Sequence, residues 1–157
     1  MAETRMGILE QRRIEAAFAK GIYEEMKAEL GAETAKRILS NAIVKLAKQT
    51  AAEMAKEGPG GKGSLEHFIS LQPLWTKDDA LAIETLGRDD KHYAFNVTRC
   101  RYAEMYRAMG LAELGGVLSC NRDGAFCEGY DSKLKLTRTQ TIMNGATHCD
   151  FRYAVEE

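Results

Sequence analysis

Arg138 and Gln140 interrupt an otherwise apolar row. Residues 134–143 alternate with period two, which places Leu134, Leu136, Arg138, Gln140 and Ile142 on one face of an extended segment. A guanidinium removed from water is costly unless it meets a carboxylate, so Arg138 needs one from the protein or from a ligand. The segment after it sorts His148, Asp150 and Arg152 to one side and Cys149, Phe151 and Tyr153 to the other. Cys149 thereby joins an aromatic, core-facing row, where a thiol is ordinarily a small hydrophobe unless cations lie nearby. His148 adjoins it but points to the opposite face, so any base for Cys149 comes from elsewhere. Cys120, Asp123 and Cys127 are spaced i, i+3 and i+7, one polar face of a helix if that helix survives Gly124. Asn121 and Arg122 beside Cys120 make a partly cationic setting that predicts a thiolate there. Asn96, Thr98 and Cys100 form a further strand face that ends just before Arg101, and strand ends leading into helices are natural places for ligand contacts.

The elements that must position these groups read as follows. Ile14, Phe18, Ile22, Met26 and Leu30 recur every four residues and predict a helix closed by Gly31; Leu39, Ile43, Leu46 and Met54 predict a second to about Lys56, stopped at Gly58-Pro59-Gly60-Gly61. Residues 7–57 therefore read as a helical hairpin and 58–63 as a Gly-rich linker, which lacks the strand before it and the Lys-Ser/Thr pair after it that a phosphate loop requires. Ser64 caps a short helix through Leu71, ended by Pro73. Leu81–Leu86 and His92–Thr98 predict two paired strands. Helical spacing returns at Tyr102–Met109 and from Leu111 past Cys120. Residues 134–143 and 148–155 then predict a closing hairpin about Asn144-Gly145. The order ααα-ββ-αα-ββ implies an α+β fold in one domain over 1–157: an N-terminal helical hairpin, then in 64–157 a four-stranded, mainly antiparallel sheet with helices packed on one face.

Composition narrows the function. The chain has 157 residues, 45% of them hydrophobic, and 22 Lys and Arg against 23 Asp and Glu leave a net charge of -1, so no electrostatic footprint for nucleic acid or anionic lipid exists. No apolar run is long enough to cross a bilayer, and the charges in residues 1–13 fall where a signal peptide needs an apolar stretch, which predicts a cytoplasmic protein with no membrane partner. All four cysteines, at 100, 120, 127 and 149, lie in the last 60 residues, a local grouping expected to be thiols. No cofactor is expected; a divalent metal held by Cys120, Asp123, Cys127 and His148 is the lesser alternative. A nucleophile elbow and H-E-x-x-H are both absent. The Ala-rich hairpin stripes need more cover than a four-stranded sheet offers, which predicts a homo-oligomer.

Four ordered blocks, Asn96-Val97-Thr98-Arg99-Cys100-Arg101-Tyr102-Ala103-Glu104, Leu118-Ser119-Cys120-Asn121-Arg122-Asp123, Arg138-Thr139-Gln140-Thr141-Ile142-Met143, and Gly145 with Cys149-Asp150-Phe151-Arg152-Tyr153, resemble the L-2-amino-thiazoline-4-carboxylic acid hydrolase family. The resemblance spans about residues 80–153. It implies hydrolytic opening of a cyclic isothiourea to N-carbamoyl-cysteine, on this substrate or on a related cyclic amidine that carries a carboxylate. Such a substrate calls for Arg at its carboxylate and Asp or Glu at its amidine. Arg138, then Arg101, suit the first role; Asp123, then Glu104 and Asp150, suit the second; Asn96, Thr98 and Gln140 complete the expected binding set. Either Cys120 or Cys149 attacks covalently, or Asp123 acts as general base on water. The alternative is a non-enzymatic sensor domain that grips a small anion with the same residues.

Overall fold

The computed structural model describes residues 5–157; the first four residues of the expected domain lie outside them. Helix α1 (Ile8–Leu30) and helix α2 (Ala32–Ala55) form the hairpin, separated by Gly31 at φ 84°, a conformation that favours glycine. A short 3-10 turn at Pro59–Gly61 leads to α3 (Leu65–Ser70), whose N-cap Ser64 accepts from the His67 amide, and then to α4 (Pro73–Thr76). Strands β1 (Leu81–Arg88) and β2 (His92–Cys100) follow, then α5 (Arg101–Ala108), a π-helical turn (Gly116–Cys120) that runs into α6 (Asn121–Tyr130), β3 (Leu134–Thr137) and β4 (Cys149–Val155). The sheet is antiparallel in the order β1-β2-β4-β3, an α+β architecture with helices packed on the sheet.

Register fixes what the sheet buries. Tyr93 pairs with Tyr153, Phe95 with Phe151 and Val97 with Cys149, so one face is an aromatic layer, with the Phe95 and Phe151 rings stacked at 4.9 Å. Phe68, Phe126 and Tyr130 from α3 and α6 cover it. The opposite face carries Asn96 opposite Asp150 and Ala94 opposite Arg152.

Three expectations are corrected. First, the row Ile14, Phe18, Ile22 and Leu30 faces outward and is exposed; α1 buries Ile8, Ala16 and Tyr23 instead, on the side that meets α2 and α5. The second helix likewise leaves Leu46 exposed and buries Ala35, Ile43, Ala47, Ala51 and Ala55. Second, β3 stops at Thr137 rather than continuing to Met143. The Asp150 carboxylate accepts from the Thr139 and Gln140 amides, which takes those donors away from the strand ladder, and a 3-10 turn at Ile142–Asn144 follows. The connection to β4 is thus a long loop instead of a two-residue Asn144-Gly145 turn. Third, residues 112–114 are turns, and the helix through Cys120 starts only at Gly115 and runs as a π turn over Gly116–Cys120.

Helix α6 packs on the alanine face of α2, and Gly129 allows that approach: a Cβ there would lie 2.5 Å from the Lys48 carbonyl oxygen. Gly124, on the open side of the same helix, would place a Cβ against nothing within 4 Å. Gly129→Ala should therefore lose about 1–3 kcal/mol through overpacking, whereas Gly124→Ala should gain about 0.5–1 kcal/mol from helix propensity. Urea midpoints of the two variants check this; equal stabilities would remove the close approach from the account.

Candidate functional site

Helix α6 delivers Asp123 and the loop after β3 delivers Arg138. Arg138 Nη1 donates to Asp123 Oδ2 at 2.5 Å and its Nη2 to the Cys120 carbonyl at 3.1 Å, while the guanidinium lies 5.0 Å from the Phe151 ring centre. The carboxylate that Arg138 requires is thus supplied by the protein. Asp150 makes this possible: with hydrogen bonds from the Thr139 amide, the Thr139 hydroxyl and the Gln140 amide, it holds the backbone directly after Arg138. Burial would raise the Asp150 carboxyl, but those three donors outweigh it and bring the pKa down to about 2.

Three chambers meet around Asp123 and Trp75, which line all of them. The first, about 80 Å³, is aromatic, with Phe68, Tyr93, Phe95 and Phe126. The second, about 70 Å³, holds Cys100, Cys120, Cys149 and Arg138. The third, about 130 Å³ and more polar, lies between α1, α2 and α6 and holds Arg12, Glu15 and Arg122. Concave sites of mixed apolar and convergent polar lining are where small molecules bind.

The cationic setting expected for Cys120 is not there. Asn121 turns to Ser40 and Arg122 to Glu15, so burial and the Asp123 carboxylate push the Cys120 thiol up to about 12 against only the opposing pull of Arg138. Burial also raises Cys149, whose sulfur accepts from the Ile142 amide at 3.2 Å, and Cys100, which accepts from the Ala103 amide. Cys127 is buried in the aromatic core, and burial with Asp123 nearby lifts it to about 12. Burial raises Asp123 above the ordinary carboxylate value, with Arg138 opposing.

Of the residues singled out from sequence, the fold brings Cys120, Asp123, Cys149 and Arg138 together. Asn96, Thr98, Arg101, Glu104, Gln140 and Asp150 line none of the three chambers. Asn96 accepts from Arg152, Thr98 donates to the Ala82 carbonyl, Glu104 pairs with Arg99 on the surface, and Gln140 donates to the His148 carbonyl. Arg101 keeps a buried Nε with no hydrogen-bond partner. Among the described residues, no group of three or more His, Cys, Asp or Glu side chains is arranged to hold a metal ion, and none of their helices is long and apolar enough to cross a membrane. Sequence reasoning missed Arg12 and Trp75, and took Arg122 only as a charge beside Cys120. A signal for Arg12 existed, since it lies on the row Ile8, Arg12, Ala16 that α1 buries, but the larger apolar residues of the outer row masked it.

The fold and site define a small α+β domain that encloses a divided cavity around the partly buried Asp123–Arg138 pair. The L-2-amino-thiazoline-4-carboxylic acid hydrolase profile matches residues 11–153, and the chain belongs to that family. Among solved structures it is similar to the phenol-responsive sensory domain of the transcription activator PoxR, crystallised with phenol, at a TM-score of 0.53 and 16% identity over 89% of this chain and 73% of that one. That likeness is one of fold. No curated protein matches the chain.

A thiol raised from 9.0 to about 12 has its thiolate fraction at neutral pH cut roughly a thousandfold. Iodoacetamide at pH 8 should therefore label Cys120 far more slowly in the native protein than in urea, with the native rate climbing as pH rises. Labelling of native Cys120 at the rate of an unfolded cysteine would contradict this placement.

Proposed function

We propose that this chain is a hydrolase that opens a small cyclic amidine or isothiourea bearing a carboxylate, with 2-amino-thiazoline-4-carboxylate as the reference substrate. The observation that carries the reading is the Asp123 carboxylate, held by Arg138 and raised by burial, at the meeting point of three chambers in a chain of this hydrolase family. A carboxylate whose pKa is lifted toward the working pH is a better base than a solvated one. Asp123 takes a proton from water as the water oxygen bonds to the amidine carbon. The C=N electron pair moves onto the ring nitrogen, which takes that proton from Asp123; as the tetrahedral species collapses, the carbonyl forms, the carbon–sulfur bond breaks with its electron pair on sulfur, and the remaining hydroxyl proton passes through Asp123 to that sulfur. Arg138 orients Asp123 and stabilises its charged form. The thiols at 100, 120 and 149, all raised, serve this scheme as protonated walls; a covalent route through Cys120 or Cys149 first requires a deprotonation that burial opposes.

A second reading, a sensor domain without turnover, is favoured by the aromatic chamber and by the fold shared with a phenol-responsive domain. One experiment separates the two. The purified chain is given 2-amino-thiazoline-4-carboxylate and thiol release is followed. Asp123→Asn should reduce turnover on the order of 10²–10⁴-fold while still binding substrate, and Cys120→Ser and Cys149→Ser should stay within a few-fold of the parent. Binding without any thiol release by the parent chain favours the sensor, and near-normal turnover in Asp123→Asn removes the base from Asp123.

Self-association belongs to the same proposal. The exposed residues Ile14, Phe18 and Ile22 on α1, Phe18 at 76% exposure, form an apolar stripe that a second copy would cover. Sedimentation at micromolar concentration should give a species larger than the monomer, and Phe18→Glu should return it to one; a monomeric parent chain refutes the stripe as an interface.

A further inference from the structure

Arg12 and Arg122 are two guanidiniums that share one carboxylate. Arg12 Nη1 donates to both Glu15 oxygens at 3.2 and 3.0 Å, and Arg122 Nη2 donates to Glu15 Oε2 at 2.9 Å. Arg122 Nε is used by the Leu118 carbonyl at 2.6 Å, inside the π turn. That leaves Arg12 Nε and Nη2 and Arg122 Nη1 without a hydrogen bond among the described residues. Both side chains are only 11% exposed, whereas that of Glu15 is 46% exposed. Both arginines line the second and third chambers, which puts their guanidiniums within reach of a ligand there.

Charge around this wall does not balance. Arg12, Arg122 and Arg138 face Glu15 and Asp123, three cations against two carboxylates, and the Asp123 charge is already taken up by the 2.5 Å contact with Arg138. Burial and the neighbouring Arg12 lower the pKa of Arg122, the direction expected where like charges crowd with insufficient counter-charge. Buried guanidiniums with spare donors bind a planar anion well, because the fork geometry matches a carboxylate. The body of such an anion would lie toward Trp75, Asp123 and Phe126, which also line the third chamber.

We propose that Arg12 and Arg122, one from α1 and one from α6, form the anion-binding subsite of the cavity, that its ligand is a small organic carboxylate, and that Glu15 occupies part of the subsite in its absence. The proposal rests on the hydrolase reading only for identifying that carboxylate with the substrate's. In that reading the substrate carboxylate docks between α1 and α6, and Arg138 is left to position Asp123.

Isothermal titration with benzoate and its neutral isostere benzamide tests this without requiring turnover. Benzoate should bind the parent chain at one site and benzamide at least tenfold more weakly. Arg12→Gln and Arg122→Gln should each weaken benzoate by tenfold or more. Glu15→Gln gives the opposite sign: it removes the internal competitor and should tighten benzoate several-fold, an outcome that damage to the fold would not produce and that keeps the test valid if Arg122→Gln does not fold. Benzoate binding that is unchanged or weaker in Glu15→Gln overturns the proposal, as does loss of binding only in Arg138→Gln. Thiol release from 2-amino-thiazoline-4-carboxylate with an unaltered KM in Arg12→Gln overturns the subsite while leaving the hydrolase reading standing. Charge-selective benzoate binding through Arg12 and Arg122 without any turnover does the reverse.

Discussion

The Asp123 carboxylate and the Arg138 guanidinium lie 2.5 Å apart, each largely withdrawn from water and compensated by the other. Removing one partner of such a pair leaves the other buried and uncompensated, at a cost of about 3–5 kcal/mol. The surrounding structure follows from that constraint. Arg138 reaches α6 because Asp150 draws the chain out of β3 immediately beyond it, and its guanidinium is seated on the Phe151 ring. Asp123 is presented because the π turn at Gly116–Cys120 shifts the start of α6, with the Arg122 side chain taking up the Leu118 carbonyl within that turn. Three chambers then share one carboxylate as a common wall, which puts a group of raised pKa where a ligand in any of them would meet it.

The scaffold that supports this arrangement is aromatic on one side and small on the other. Paired rings on β2 and β4, covered by Phe68, Phe126 and Tyr130, form a stiff layer in which stacking and area burial act together. Across α6, the contact with α2 is made by alanines and Gly129, so the two backbones approach closely and the register of α6 has little freedom. Asp123, Cys120 and Arg122 all depend on that register. A rigid helix flanked by an aromatic sheet is a better platform for placing a base than a mobile loop would be.

Electrostatics favours water over sulfur as the attacking atom in the proposed reaction. Burial keeps the thiols of the second chamber protonated, and the carboxylate beside Cys120 reinforces this. The same burial makes Asp123 a stronger base. One environment therefore acts in opposite senses on the usefulness of the two candidate groups, because desolvation penalises the charged form of each: it withholds the thiolate nucleophile and raises the affinity of the carboxylate for a proton.

Local information was legible along the chain. The period of α1 and α2, the Ser64 cap, the β1–β2 pairing, the alternation that puts Cys149 with Phe151 and Tyr153, the carboxylate requirement of Arg138 and the four family blocks all follow from residue types at short spacing. What lay beyond reach were choices that depend on distant partners. Periodicity shows that a helix has an apolar row but not which of two rows is buried, and on α1 the buried row is that of Ile8, Ala16 and Tyr23, the one α2 and α5 happen to cover. Alternation predicts a strand until a carboxylate eleven residues away, Asp150, captures the amides that would have extended it. Arg122 next to Cys120 implies a cationic thiol environment, yet neighbouring positions on a helix project apart, and Arg122 turns to Glu15, 107 residues away. Sequence spacing determined the elements and the chemical types available. Only the tertiary structure decided which charges meet, because burial and pairing are set by residues far apart in the chain.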